Sequence, residues 1–219
     1  STHWNVPIVW LEYRNAEDTK DRWTEVTYET ASRNGEPFEA VIRKKNYLPN
    51  PVTRFCTIEM KIRTIANYLF AKGMCETRSQ GEYMSWVGIR ADEPRRSAKI
   101  PRDRTPLVTA GVTKEMVGEF WRNQPFDLEL PNINGVTYHG NCDLCFLKGT
   151  SQTMSLIQEK PERAIWWASM EQEAKTFCDK TSGQVFRQDR AGYAEMMKFA
   201  ETQTDFFGND ETIPCFCGD

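Results

Sequence analysis

Val6-Pro-Ile-Val-Trp-Leu-Glu-Tyr13 is the stretch on which the fold turns. It is a short apolar run rich in β-formers, and it reads as a buried strand. Such a strand sits inside a sheet, with neighbours on both sides. The sequence supplies few candidates for those neighbours, and only Ser1 to Asn5 stand before it. The expectation is therefore a sheet whose amino-terminal part is incomplete.

Outward from that run, Tyr83 to Ile89 (YMSWVGI) reads as a second strand, followed by a charged loop from Arg90 to Arg104. Between the two, Arg14 to Arg33 is polar, and Phe38 to Lys45 suits a short helix. Leu48-Pro49-Asn50-Pro51 must be a loop, because its prolines restrict the backbone. Helical spacing of Ile58, Ile62, Ile65 and Leu69 predicts a helix over Thr57 to Lys72, stopped by Gly73. Thr113 is placed to cap a helix that runs to about Asn123. Pro161 suits the first turn of a helix with the face Ala164, Trp167, Met170, Ala174 and Phe177. A last helix carries Tyr193, Met196, Met197 and Ala200. This divides the chain into an α/β part over residues 1–130 and a cysteine-rich, mainly helical lobe over 131–219.

Of the 219 residues, 39% are hydrophobic and 27% charged, as in an ordinary globular protein. A formal net charge of -3 argues against bulk attraction to nucleic acid, though not against a local basic patch. No apolar run is long enough to span a membrane and no leader segment opens the chain, so a cytoplasmic protein is expected.

Seven cysteines are many for such a chain, and an odd number does not suit a closed disulfide framework. In a reducing compartment, spaced cysteines more often bind metal or do chemistry. The sharpest local feature is His139-Gly-Asn-Cys142-Asp-Leu-Cys145. Two residues between cysteines let a tight turn bring both sulfurs to one metal. Cys56 stands where a helix is expected to begin, and free N–H groups there favour the thiolate. Cys215 and Cys217, in Pro214-Cys-Phe-Cys-Gly218, offer the remaining thiol. Cys56, Cys142, Cys145 and one of Cys215 or Cys217 make a four-thiolate set, which suits zinc and iron–sulfur alike. His139 is an alternative ligand. Cys75 and Cys178 have no such setting and read as inert buried thiols.

In Gly88-Ile-Arg90-Ala-Asp92-Glu93-Pro94-Arg95-Arg96-Ser97, arginines follow directly on the expected second strand. Ligands of open α/β sheets bind beyond the carboxyl ends of strands, and guanidinium forks suit phosphate or sulfate. A plain solvated loop is the other reading of this stretch.

Four segments in order now resemble one family: Leu48 to Lys61 (LPNPVTRFCTIEMK), Val87 to Arg95 (VGIRADEPR), Gly140 to Gly149 (GNCDLCFLKG) and Pro214 to Cys217 (PCFC). Their order and spacing are similar to those of the phosphoadenosine phosphosulfate reductase-like proteins, particularly the versions carried by bacteriophages. The resemblance implies an α/β fold of the adenine-nucleotide-binding kind, a mainly parallel twisted sheet with helices on both faces. It implies a [4Fe-4S] cluster on Cys56, Cys142, Cys145 and Cys215, with zinc as the alternative. It implies Arg90, Arg95, Arg96 and Lys61 at the nucleotide's phosphate or sulfate end, and Cys217 as a catalytic thiol. The family's Ser-Gly-Gly-x-x-Ser phosphate loop is not found in these 219 residues, so nucleotide turnover is not expected of the chain as it stands. The expected partners are an adenine nucleotide or activated sulfate. An enzyme adding sulfur to DNA or tRNA, and a non-catalytic metal-stabilised binding module, are the competing readings. Self-association, or cover from a further amino-terminal segment, is expected for the open edge of the first strand.

Overall fold

The computed structural model describes residues 4–78, 83–127, 129–131, 137–140 and 142–202. In chain order the elements are strands β1 (Trp10–Glu12) and β2 (Thr24–Val26), then helices α1 (Glu36–Lys45) and α2 (Phe55–Thr57). A π-helical turn, Ile58–Arg63, leads from α2 straight into α3 (Thr64–Ala71). Short helices α4 (Pro94–Ser97) and α5 (Pro106–Thr109) precede α6 (Lys114–Arg122), and α7 (Thr150–Glu159), α8 (Arg163–Phe177) and α9 (Tyr193–Thr202) follow. Two compact units result. Among the described residues, one holds 4–78 with 142–202, and the other holds 83–127, 129–131 and 137–140.

The α/β expectation is overturned. Among the described residues the sheet has two antiparallel strands, with Trp10 opposite Val26 and Glu12 opposite Thr24. The rest of the regular structure is helical. The expected buried strand fails because its apolar run finds no second layer: Val6, Ile8, Val9 and Trp10 are exposed. Tyr83–Ile89 is not a strand: Tyr83 lies at a bend, and the Ile89 amide donates back to the Val87 carbonyl at 2.9 Å. The Val87 amide donates to the Arg104 carbonyl at 2.9 Å, and one such bond does not make a ladder. The polar stretch Arg14 to Arg33, expected as a loop or a short amphipathic element, supplies β2, which pairs with β1 across a short connection.

The core of the first unit is built on helices. α9 packs on α7 and α8, α1 on the π turn, and α3 on β1. Of the expected face of α8, Ala164, Trp167, Met170 and Ala174 are buried, while Phe177 at its end is half-buried. Trp167 stacks on Tyr193 at 5.2 Å and meets Phe186 edge-on at 4.8 Å, while Phe146 stacks on Phe186 at 5.8 Å. Such pairs add stability beyond area burial, about 0.5–1.5 kcal/mol each. Gly35 begins α1 in the left-handed region at φ 88°, and a Cβ there would lie 2.6 Å from the Trp166 ring. Only glycine meets both demands.

The helix expected over Thr57 to Lys72 exists, with Gly73 beyond its end at φ 68°. Its buried face is not the expected one. Ile58 and Ile65 are exposed, whereas Phe55, Glu59, Thr64, Ala66 and Asn67 are buried. The π turn accounts for this, because an i→i+5 turn takes an extra residue and shifts every later side chain around the axis. The Thr64 hydroxyl donates to the Glu59 carbonyl at 2.9 Å, inside that widened turn.

In the second unit the Thr113 side chain accepts from the Met116 amide at 3.5 Å, capping α6 as expected. No helix of the described residues is long and apolar enough to cross a membrane.

Candidate metal centre

Residues 142–145 form a tight turn. The Cys145 amide donates to the Cys142 carbonyl at 3.2 Å, and the Lys148 amide donates to the Cys145 carbonyl at 2.9 Å. Leu144 takes the left-handed backbone at φ 46° and is wholly buried. That conformation is costly for a branched side chain and persists only where the surroundings enforce it. Tyr193 supplies part of the enforcement: its hydroxyl donates to the Leu144 carbonyl at 2.6 Å. Further along, the Arg190 guanidinium donates to the Lys148 carbonyl at 2.8 Å. The turn is thus pinned from α9 and from the segment before it.

Cys56 lies on α2, beside the buried Phe55, which meets Tyr47 edge-on at 5.1 Å. The fold brings this cysteine to the turn. Cys56 and Cys145 each sense the charge of Cys142, and Cys145 also senses Cys56. Three thiols from two distant segments therefore share one neighbourhood in the first unit. Cys142 is exposed, while Cys56 and Cys145 are half-buried.

Burial is the largest influence on two of these thiols. It raises Cys56, against hydrogen bonds from the Thr57 amide and hydroxyl and the charge of Lys61. It pushes Cys145 up to about 11, against the Leu147 amide and the charge of Lys148. The helix start at Cys56 does not lower that thiol, contrary to the sequence expectation. The donor at Thr57 is there, but loss of water outweighs it. Lys61 stands close enough to act on Cys56, as the motif suggested, although its role toward a nucleotide is not visible in this geometry.

Lys148 is a feature that sequence reading missed. It is 3% exposed. Burial lowers its pKa, while Cys145, Asp143 and Cys142 pull it upward. A buried cation beside thiols offsets the negative charge that thiolate ligands gather. Its signal was its place three residues after Cys145.

No group of three His, Cys, Asp or Glu side chains among the described residues is set to hold a single metal ion. The donor chemistry nevertheless fits a thiolate-bound cluster. Each iron of a cluster takes its own thiolate, so the sulfurs stand farther apart than around one ion. The amides of Thr57 and Leu147 and the cations Lys61 and Lys148 would balance the charge. Cys215 and Cys217, expected as ligand and catalytic thiol, lie outside the described residues. Cys178 is buried, with its Sγ 3.4 Å from the Lys180 carbonyl, in keeping with an inert thiol.

The arginine loop belongs to the second unit. Arg90 donates to Asp92 at 2.9 Å and lies 3.6 Å from Glu93, and Arg96 donates to Glu93 at 2.6 Å. Burial opposes ionisation of Glu93, but the Arg90 amide and the Arg96 side chain hold its carboxyl below the ordinary value. The loop's own carboxylates thus occupy Arg90 and Arg96. Arg95 is exposed and has no ion pair among the described residues.

Comparison with known proteins adds one relative to report. The chain is 32% identical over 118 residues to the uncharacterized nin region protein ORF290 of Escherichia phage lambda. The match covers 53% of this chain but only 37% of that protein, little more than a third of its length. No family model matches the chain, and no solved structure matches it.

Proposed function

We propose that this chain is an iron–sulfur protein of the phosphoadenosine phosphosulfate reductase-like kind, acting on an adenylated or sulfated nucleotide in sulfur metabolism. The observation that carries the proposal is the convergence of Cys56 with Cys142 and Cys145, since Cys142 acts on both of the others and Cys56 acts on Cys145. The resemblance assigns the fourth ligand to a C-terminal cysteine, Cys215 or Cys217, and both lie outside the described residues. A bound cluster would tune charge and position beside the substrate. The chain's own part is to hold the turn at Leu144, to place Lys61 and Lys148 against the thiolates, and to keep water from Cys145.

The resemblance of the sequence motifs to phage versions of that family supports this reading, and so does the phage origin of the relative. The decisive experiment is anaerobic purification with assays of iron and acid-labile sulfide. A brown protein holding the two in comparable amounts is expected, and Cys142→Ser should lose both while Cys75→Ser keeps them. A colourless protein with stoichiometric zinc would overturn the cluster.

A further inference from the structure

A second site lies in the first unit, apart from the thiols in the chemistry it presents. A cavity of about 390 Å³ is bordered by Arg22, Arg63 and Arg78, which come from three different segments. That size falls within the range of small-molecule pockets. Among the described residues Glu59 is the acidic member of the lining, and it is already held by Lys45 at 2.8 Å and Arg63 at 2.6 Å.

The other two arginines have no carboxylate partner among the described residues. Arg22 is held by backbone carbonyls, through Nε to Ala16 at 2.9 Å and Nη2 to Glu17 at 3.0 Å. Those bonds fix the guanidinium plane and leave its charge unneutralised. Arg78 reaches the Thr19 hydroxyl at 3.0 Å and the Asn67 side-chain oxygen at 3.5 Å, both neutral acceptors. Lys44 is lowered by burial and next by the positive charge of Arg22, so like charges crowd this side of the unit. Tyr13 lines the same cavity, is 5% exposed, and its hydroxyl has no hydrogen-bond partner among the described residues. Arg63 and Arg78 are exposed at this cavity, and guanidiniums gathered around one space suit an anion with several acceptor oxygens.

We propose that this cavity binds a small molecule through a phosphate monoester, held by Arg22, Arg63 and Arg78. Three arginines against one carboxylate in the described lining suit a phosphate dianion better than a carboxylate. The arginines fork onto the terminal oxygens, and Tyr13 donates from the same lining. The proposal does not depend on a metal at the cysteines.

The test is calorimetric titration of the full chain with inorganic phosphate, ribose 5-phosphate and ribose at constant ionic strength. Saturable binding of both phosphorylated probes, with none by ribose, is expected. Arg78→Ala should weaken ribose 5-phosphate roughly tenfold or more, and Arg78→Lys, which keeps the charge but not the fork, should fall between it and the parent. The lysine variant also serves if the alanine variant fails to fold. Iron content should be unchanged in both, which separates this site from the cysteines. Absence of saturable binding, equal binding of ribose, or parent-like affinity in both Arg78 variants would overturn the proposal.

Discussion

The hydroxyl of Tyr193 donates to the Leu144 carbonyl at 2.6 Å, so the first residue of α9 holds the turn between Cys142 and Cys145. Burial raises the Tyr193 pKa, which keeps that proton in place at any ordinary pH. Tyr193→Phe removes the donor and leaves a buried carbonyl unpaired. The expected loss is about 1–3 kcal/mol in urea unfolding. If the proposed cluster is bound, release of its iron to a chelator should also quicken by roughly tenfold, the scale found for outer-shell partners of metal ligands. Unchanged iron release would mean that the turn is held without this bond.

Glu59 gives a pH-dependent prediction. Burial opposes its ionisation, but hydrogen bonds from Lys45 and Arg63 hold its carboxyl below the ordinary value of 4.5. A depressed folded pKa means the unfolded chain takes up the proton first as acid is added. The stabilisation is therefore full above the ordinary value and is lost as pH falls through the folded one. Glu59→Gln should cost about 1.5–3 kcal/mol at neutral pH, the scale of a hydrogen-bonded charge. The gap from the parent should narrow below about pH 4. Denaturant midpoints at both pH values check this, and a constant gap would assign the loss to packing.

Gly192 approaches Glu171 closely: a Cβ there would lie 2.8 Å from the carboxylate oxygen that accepts from the Tyr193 amide, also at 2.8 Å. Gly192→Ala should displace Glu171 and break that bond, lowering stability by about 1–3 kcal/mol. Thermal unfolding measures it. A parent-like midpoint would show that the carboxylate shifts without losing its partner.

In the arginine loop, Asp92 and Glu93 hold Arg90 and Arg96, and Arg95 is left for an anion. If the loop serves the proposed nucleotide, Arg95→Ala should weaken phosphoadenosine phosphosulfate by roughly tenfold, the loss of one charged fork. Calorimetry is the readout. Equal binding by parent and variant would remove the loop from the proposed site.

The helices were legible where side chains of one kind repeat on one face. α8 shows Ala164, Trp167, Met170 and Ala174 at helical spacing, and Thr113 announces α6 by its hydroxyl. The sheet was misread because an apolar run says that burial is wanted, not that a second layer covers it, and Val6, Ile8, Val9 and Trp10 are exposed. α7 was passed over, although Met154, Leu156 and Ile157 carry its buried face. The CxxC turn was legible from spacing alone. Its neighbours were not, because Lys148 and Tyr193 meet the turn only through folding, and no pattern in the sequence marks the cavity arginines as neighbours.

The π turn over Ile58–Arg63 makes this stretch unusually sensitive to chain length. The turn holds one residue more than an α-helical turn, so loss of one codon there would restore an ordinary α-helix and leave Thr64 and Asn67 facing the interior. A further inserted residue, or closure of the turn to α-helix at full length, has the opposite effect. Each residue of an α-helix turns by about 100°, so everything after the turn would rotate by that amount, and Thr64 and Asn67 would leave the side they share with Glu59. The stretch therefore tolerates a deletion better than an insertion.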